Sequence, residues 1–269
     1  MNTLRWVDGS PVDAGAASPV GWERGVGLFE TMAVAAGRVR LLERHLARLS
    51  SGCARLGLSL PPQEQLRTEL EAAAALPGVG VLKLVVVQGR PGSDAPDGST
   101  RCLQATGPRH RPAEWWRSGV RVHVCRLRLG PAPALAGLKH LGRLELHLAR
   151  AEWRDPEIAE GLLADVHGRI VCGTMTNVFA VVDSQLVTPD LMQGGVAGVM
   201  RAELLEAWRD AGVDVAVREL HEQDLERATE VFLTNALIGA WPVRQLGLRL
   251  LSPGARVREA QAFGARCSA

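Results

Sequence analysis

The chain has 269 residues, 46% hydrophobic and 22% charged, a composition suited to a buried core and outside the disordered range. Its 31 basic and 29 acidic residues leave a net charge of +2, which predicts no strong hold on nucleic acid or an anionic membrane. Apolar runs such as Leu84–Val87 are far too short to span a bilayer, and Met1–Trp6 lacks a charged then apolar leader, so no signal peptide is expected; the odd number of cysteines without a CxxC pair fits a reducing cytoplasm.

In chain order, Leu4–Val7 and Ser10–Val12 flank Asp8-Gly9 and predict a hairpin. A second hairpin is expected from Leu28–Val34 and Arg38–Leu42 around Ala36-Gly37. Leu42, Leu46, Leu49 and Cys53 have helical spacing, with Gly57 as the stop. Pro61-Pro62 opens a helix running to about Ala75. Val79–Gln88 and Arg101–Ala105 read as strands around a polar loop. Residues 109–113, within Gly107–Pro112 and its neighbours, are the expected linker between domains 1–108 and 114–269. Val120–Leu127 alternates like a half-buried strand, and Leu138–Trp153 predicts a helix with Leu138, Leu141, Leu144 and Leu148 on its buried face. Strands follow at Gly161–Val166, Ile170-Val171, Asn177–Val182 and Gln185–Val187, then a helix at Gly198–Ala211 and a strand at Val213–Val217. A short helix at Glu222–Arg227 precedes strands at Glu230–Thr234 and Ile238–Val243. The irregular alternation predicts an α/β or α+β chain in two domains.

Five cysteines, an odd number without a CxxC pair, predict neither a disulfide framework nor a zinc site, and no metal is expected. Of the 31 basic residues, only Lys83 and Lys139 are lysine. A coding bias towards Arg explains the excess. Arg cannot supply a neutral primary amine, so chemistry that needs one must keep Lys. Lys139 opens the expected helix 138–153, where the helix dipole favours the neutral amine. Gly194–Arg201 is a glycine-rich loop leading into a helix, a turn that offers N–H groups to phosphate. Arg44 and Arg48 share a helix face at i, i+4, and Thr234-Asn235 ends an apolar strand. A phosphate cradle together with an amine is the equipment for pyridoxal phosphate.

Several segments carry a closer likeness. They are Gly27–Thr31, Leu42–Leu49, Leu135–Glu145, Ala149–Trp153, Gly173–Phe179, Gly195–Arg201 and Val231–Ala236, in that order along most of the chain. Together they resemble the class IV aminotransferase family of fold type IV pyridoxal phosphate enzymes, and the lysine segment resembles its lyase branch. The resemblance implies a D-amino acid aminotransferase-like fold, with a cofactor cleft between the domains, and a homodimer. It implies that Lys139 bonds the cofactor aldehyde and that Arg48 binds the phosphate, together with the N–H groups of Val199 and Met200 and with Thr234 and Asn235. Asn177 would support the cofactor wall. Thr31 would face the substrate as a candidate proton donor, and Arg143, Arg90 and Arg109 are candidates for its carboxylates. Lys83 reads as structural.

The implied activity is elimination of pyruvate from 4-amino-4-deoxychorismate to leave 4-aminobenzoate. The alternatives are a D-amino acid or branched-chain aminotransferase, and a degenerate non-catalytic homologue acting as a binding protein. The sequence departs from the family pattern at Cys172, where a Glu is usual, and in Arg24–Gly27, Gln88–Ser93 and Gly142. A neutral thiol at Cys172 cannot pair with the cofactor's pyridine nitrogen as a carboxylate does.

Overall fold

The computed structural model describes residues 4–11, 25–89 and 99–266. The chain forms two units. The first takes the residues up to His110 together with Leu138–Gly142, and the second takes Arg111–Gly137 and the chain from Arg143 onward.

In the first unit, β1 (Leu4–Val7), β2 (Ser10–Pro11), β3 (Gly27–Ala35), β4 (Arg38–Val39), β5 (Val81–Gln88) and β6 (Ser99–Thr106) pair antiparallel in the order β2-β1-β6-β5-β3-β4. Strand alternation sends successive side chains to opposite faces. On β3, Leu28 and Met32 enter a core shared with Leu82, Leu84 and Val86 of β5 and with Leu46 and Leu49 of α1 (Leu42–Leu56). Phe29 and Thr31 take the other face, opposite Val85 and Lys83 in the β3–β5 register. The apolar stripe expected on α1 is buried at Leu46, Leu49 and Cys53. Its end is a Schellman turn. Gly57 has φ +63° and donates to Ala54, and Leu58 N–H donates to Cys53 O at 2.9 Å. The second helix, α2 (Gln63–Ala74), adds Leu66 and Leu70 to the same core.

In the second unit, β7 (Val120–Leu129), β8 (Ile158–Asp165), β9 (Ile170–Gly173), β10 (Asn177–Val182), β11 (Gln185–Thr188), β12 (Val215–Val217), β13 (Glu230–Asn235) and β14 (Gly239–Leu246) form a mixed sheet. Their order is β12-β11-β10-β13-β14-β7-β8-β9, with β15 (Arg249–Leu250) on β14. The helices of this unit are α3 (Glu114–Arg117), α4 (Leu144–Arg150), α5 (Val199–Asp210), α6 (Glu222–Arg227) and α7 (Ala255–Arg266). Trp208 of α5 packs edge-on to Phe263 of α7 and tilts against Phe179 and Phe232, which stack at 5.2 Å. The helix α7, with no apolar stripe to announce it, buries only Val257, Ala260 and Gly264, and its N-terminus is held by Glu230, which accepts from Val257 N–H at 2.5 Å.

The helix expected over 138–153 shrinks to α4. Gly137 turns the chain at φ +81°, and the next residues run extended beside β3. Phe29 N–H donates to Lys139 O and Leu141 N–H to Gly27 O, both at 3.0 Å. The leucine spacing therefore serves two purposes. Leu138 enters the core of the first unit, while Leu144 and Leu148 on α4 stand 69% and 52% exposed.

Candidate functional site

Lys139 projects from the extended segment beside β3, with Nζ over the Phe29 ring at 4.2 Å. No helix starts at Lys139, so the expected dipole effect on its amine does not apply. Its position is instead fixed by the two backbone hydrogen bonds to β3. Thr31 lies on the Phe29 face of the sheet, directly across from Lys83.

On the other face, Glu30 sits 1% exposed at a core position of β3. His45 Nδ1 donates to its carboxylate at 2.6 Å, and Arg48 donates through Nε at 2.8 Å and also through Nη2. Burial pushes the Glu30 carboxyl up, but the hydrogen bonds from His45 and Arg48 outweigh it and hold the group at about 2. A carboxylate only accepts, so His45 carries its proton on Nδ1. Burial pushes the His45 imidazolium down, which keeps the ring neutral despite Glu30. Arg48 is thus held at the α1–β3 contact through two of its three nitrogens. Glu30 and His45 were absent from the expected site. An acid at the same strand parity as Leu28 and Met32 was the signal for Glu30.

In the second unit, the loop before α5 and the end of β10 come together. Asn177 Nδ2 donates to Val196 O at 2.9 Å, while a Cβ on Gly198 would meet Asn177 Oδ1 at 1.9 Å, so only glycine fits there. Gly137 clips the same loop, donating to Gly195 O at 2.9 Å and accepting from Ala197 N–H at 3.1 Å. The first intrahelical bond of α5 is Ala202 N–H to Gly198 O, and no side chain caps the helix. The N–H groups of Val199 and Met200 precede that bond. Thr234 pairs with Asn177 across β10 and β13, and its buried hydroxyl has no hydrogen-bond partner among the described residues. Helix N–H donors beside a buried, unsatisfied hydroxyl form an anion-binding set, so these residues fit a phosphate. The Asn235 side chain is already committed. Its Oδ1 accepts from the N–H groups of Leu237 and Ile238, and its Nδ2 donates to Met175 O at 3.2 Å.

Cys172 lies in β9 among Cys125, Leu163, Val171 and Leu191. Burial pushes its thiol up to about 12, against the pull of the Arg143 guanidinium, so it stays a neutral thiol. Next to it, the fully buried Glu160 organises the turn from Gly173 to Thr176. It accepts from the N–H groups of Gly161, Thr174 and Met175 and from the hydroxyls of Thr174 and Thr176. Arg143 forms the N-terminal boundary of α4, Arg109 is exposed, and Arg90 lies outside the described residues. His123, Cys125 and Glu152 offer three metal-ligand atoms within 4.8 Å of one another. The Glu152 carboxylate is already satisfied there by His123 and by the N–H groups of Arg126 and Leu127, which makes it the anchor of the irregular part of β7. The cavity of the first unit lined by Trp6, Glu69, Arg101 and Leu103 contains none of the expected site residues. No helix among the described residues is long and apolar enough to cross a membrane.

The family model for amino-transferase class IV matches residues 27–246. Aminodeoxychorismate lyase of Vibrio harveyi is 31% identical over 242 residues, 88% of this chain and 89% of that protein. The crystal structure of 4-amino-4-deoxychorismate lyase from Pseudomonas aeruginosa superposes with a TM-score of 0.89 at 47% identity, covering 96% of this chain and 97% of that one. A hypothetical aminotransferase from Mycobacterium tuberculosis, in a PLP-bound form, superposes with a TM-score of 0.83 at 23% identity, covering 98% of both chains.

Proposed function

This chain belongs to the amino-transferase class IV family and has its fold type IV architecture, and from that premise we propose that it is a pyridoxal phosphate-dependent carbon–oxygen lyase. Its substrate is 4-amino-4-deoxychorismate, and its products are 4-aminobenzoate and pyruvate. The observation that carries the reading is the amine of Lys139, held over Phe29 on the sheet face that also bears Thr31. The identity to two lyases over most of the chain supports the choice of reaction.

The cofactor, when bound, supplies an electron sink at the carbon bearing the substrate amine. Lys139 would hold it covalently. The N–H groups of Val199 and Met200 and the Thr234 hydroxyl would hold its phosphate, and Arg48, whose guanidinium is oriented by Glu30, is assigned to the same phosphate. Asn177 fixes the loop that bears the cradle, while Asn235 contributes by holding the turn that follows β13. The uncombined Lys139 amine takes the proton from the amino-bearing carbon. The ring carbon–oxygen bond then breaks, Thr31 gives its proton to the departing enolpyruvyl oxygen and regains one from the Lys139 ammonium, and the released enol tautomerises to pyruvate. The ring gains aromaticity, a strong drive that tolerates the neutral Cys172 thiol where a carboxylate would strengthen the sink. Arg143 and Arg90 are assigned to the substrate carboxylates. The enzyme acts as a cytoplasmic homodimer in this reading.

The test is the visible spectrum of the protein with added pyridoxal phosphate, beside Lys139→Ala, followed by assays for pyruvate release and for amino transfer to 2-oxoglutarate. A protein-bound band that requires Lys139, with pyruvate released and no amino transfer, is expected. Amino transfer without pyruvate would make the chain a transaminase, and absence of the band would leave a non-catalytic homologue.

A further inference from the structure

The two lysines of this chain meet at one ring. Lys139 Nζ lies 4.2 Å and Lys83 Nζ 5.5 Å from the centre of the Phe29 ring, so the ammonium groups are no farther apart than the sum of those distances. They arrive by separate routes, Lys83 from β5 and Lys139 from the extended segment held on β3. Lys83 also stands directly across from Thr31, on the face turned away from the Glu30–Arg48 pair.

Lys83 is half-buried, and among the described residues no carboxylate pairs with it. Two partly buried arginines of the same unit are paired instead, Arg48 with Glu30 and Arg101 with Glu69. Two cations gathered at one aromatic ring, one of them without a carboxylate partner among the described residues, are better satisfied when an anion joins them. The amine substrate of the proposed reaction carries such an anion, a ring carboxylate across the six-membered ring from the amino-bearing carbon.

We infer that Lys83 is a substrate-binding residue whose ammonium takes the ring carboxylate of a cyclic amino acid while the amino-bearing carbon lies at Lys139. This rests on the proposed lyase reading and replaces the structural role expected for Lys83. The compact, flexible ammonium meets a carboxylate as a point charge and needs no bidentate geometry.

The experiment uses the full chain with added pyridoxal phosphate, as wild type, Lys83→Met and Lys83→Arg. The Lys139-dependent absorption band is recorded first, then steady-state pyruvate release, then binding of 4-aminobenzoate and of aniline through their perturbation of that band. Lys83→Met is expected to keep the band, to raise KM about tenfold or more with kcat changed much less, and to lose the preference for 4-aminobenzoate over aniline. Lys83→Arg, which restores the charge, should recover most of that preference. If Lys83→Met does not fold, judged by its melting temperature, Lys83→Gln takes its place. A charge-removed variant that keeps both KM and the preference overturns the inference and leaves the lyase reading intact. Wild type that shows no band or releases no pyruvate overturns the lyase reading and this inference with it.

Discussion

Glu30 shows how one residue can join the fold to the site. Its ordinary carboxyl value is 4.5, and in the folded chain it sits at about 2, so between those values the unfolded chain binds the extra proton. The stability it contributes is complete above about pH 4.5 and is lost as the pH falls towards 2. A shift of that size corresponds to roughly 3 kcal/mol. Glu30→Gln should therefore cost about 3 kcal/mol at neutral pH by urea denaturation, and it should flatten the acid side of the stability profile. A variant that loses stability in parallel with wild type on acidification would show that the pair with Arg48 and His45 is not the cause. Cys172 is the opposite kind of residue. Its thiol is neutral and enclosed, so its contribution is packing against Cys125 and Leu163. The identity of each residue was legible in the sequence, but its partners were not, because Arg48 and Glu30 are 18 positions apart and meet only when α1 lies on β3.

At the scale of elements, α5 carries the sharpest expectation. Gly198 is required by the Asn177 side chain, which a Cβ would overlap at 1.9 Å. Gly198→Ala must displace Asn177 or the loop it anchors, which moves the N–H groups of Val199 and Met200 away from Thr234. Affinity for pyridoxal phosphate, titrated by its absorption, should fall by about tenfold or more, equivalent to roughly 1.4 kcal/mol, while the melting temperature changes little. Unchanged affinity would remove the helix terminus from the cradle. The starts and ends of α1 and α5 were legible because local signals set them, the apolar spacing and Gly57 in one case and the glycine-rich loop in the other. The segment 138–153 misled because leucines at helical spacing belong to different surroundings. Leu138 and Leu141 pack in the first unit, Gly142 interrupts them, and Leu144 and Leu148 are exposed. The helix α7 was missed because small residues, a distant Glu230 and Phe263 against Trp208 place it.

For the whole molecule, cofactor binding and folding are linked. A ligand that binds only the folded chain stabilises it by mass action, about 2.7 kcal/mol at a hundredfold excess over Kd. Pyridoxal phosphate should accordingly raise the melting temperature in a concentration-dependent way, and Lys139→Ala should lose most of that rise. An equal rise in both proteins would mean that the amine adds nothing to the hold.

By itself, the sequence determined most of the strands and helices in their order, the α/β character, the glycine-rich loop before α5 and the distinction of two lysines among 31 basic residues. These follow from periodicity, turn chemistry and side-chain type, which act within a few residues. Only the tertiary structure decided that Lys139 sits on an extended segment beside β3, that Glu30 holds Arg48, and that Lys83 and Lys139 face one ring. Each of those depends on strand register and on backbone hydrogen bonds between distant segments, and no local spacing encodes them.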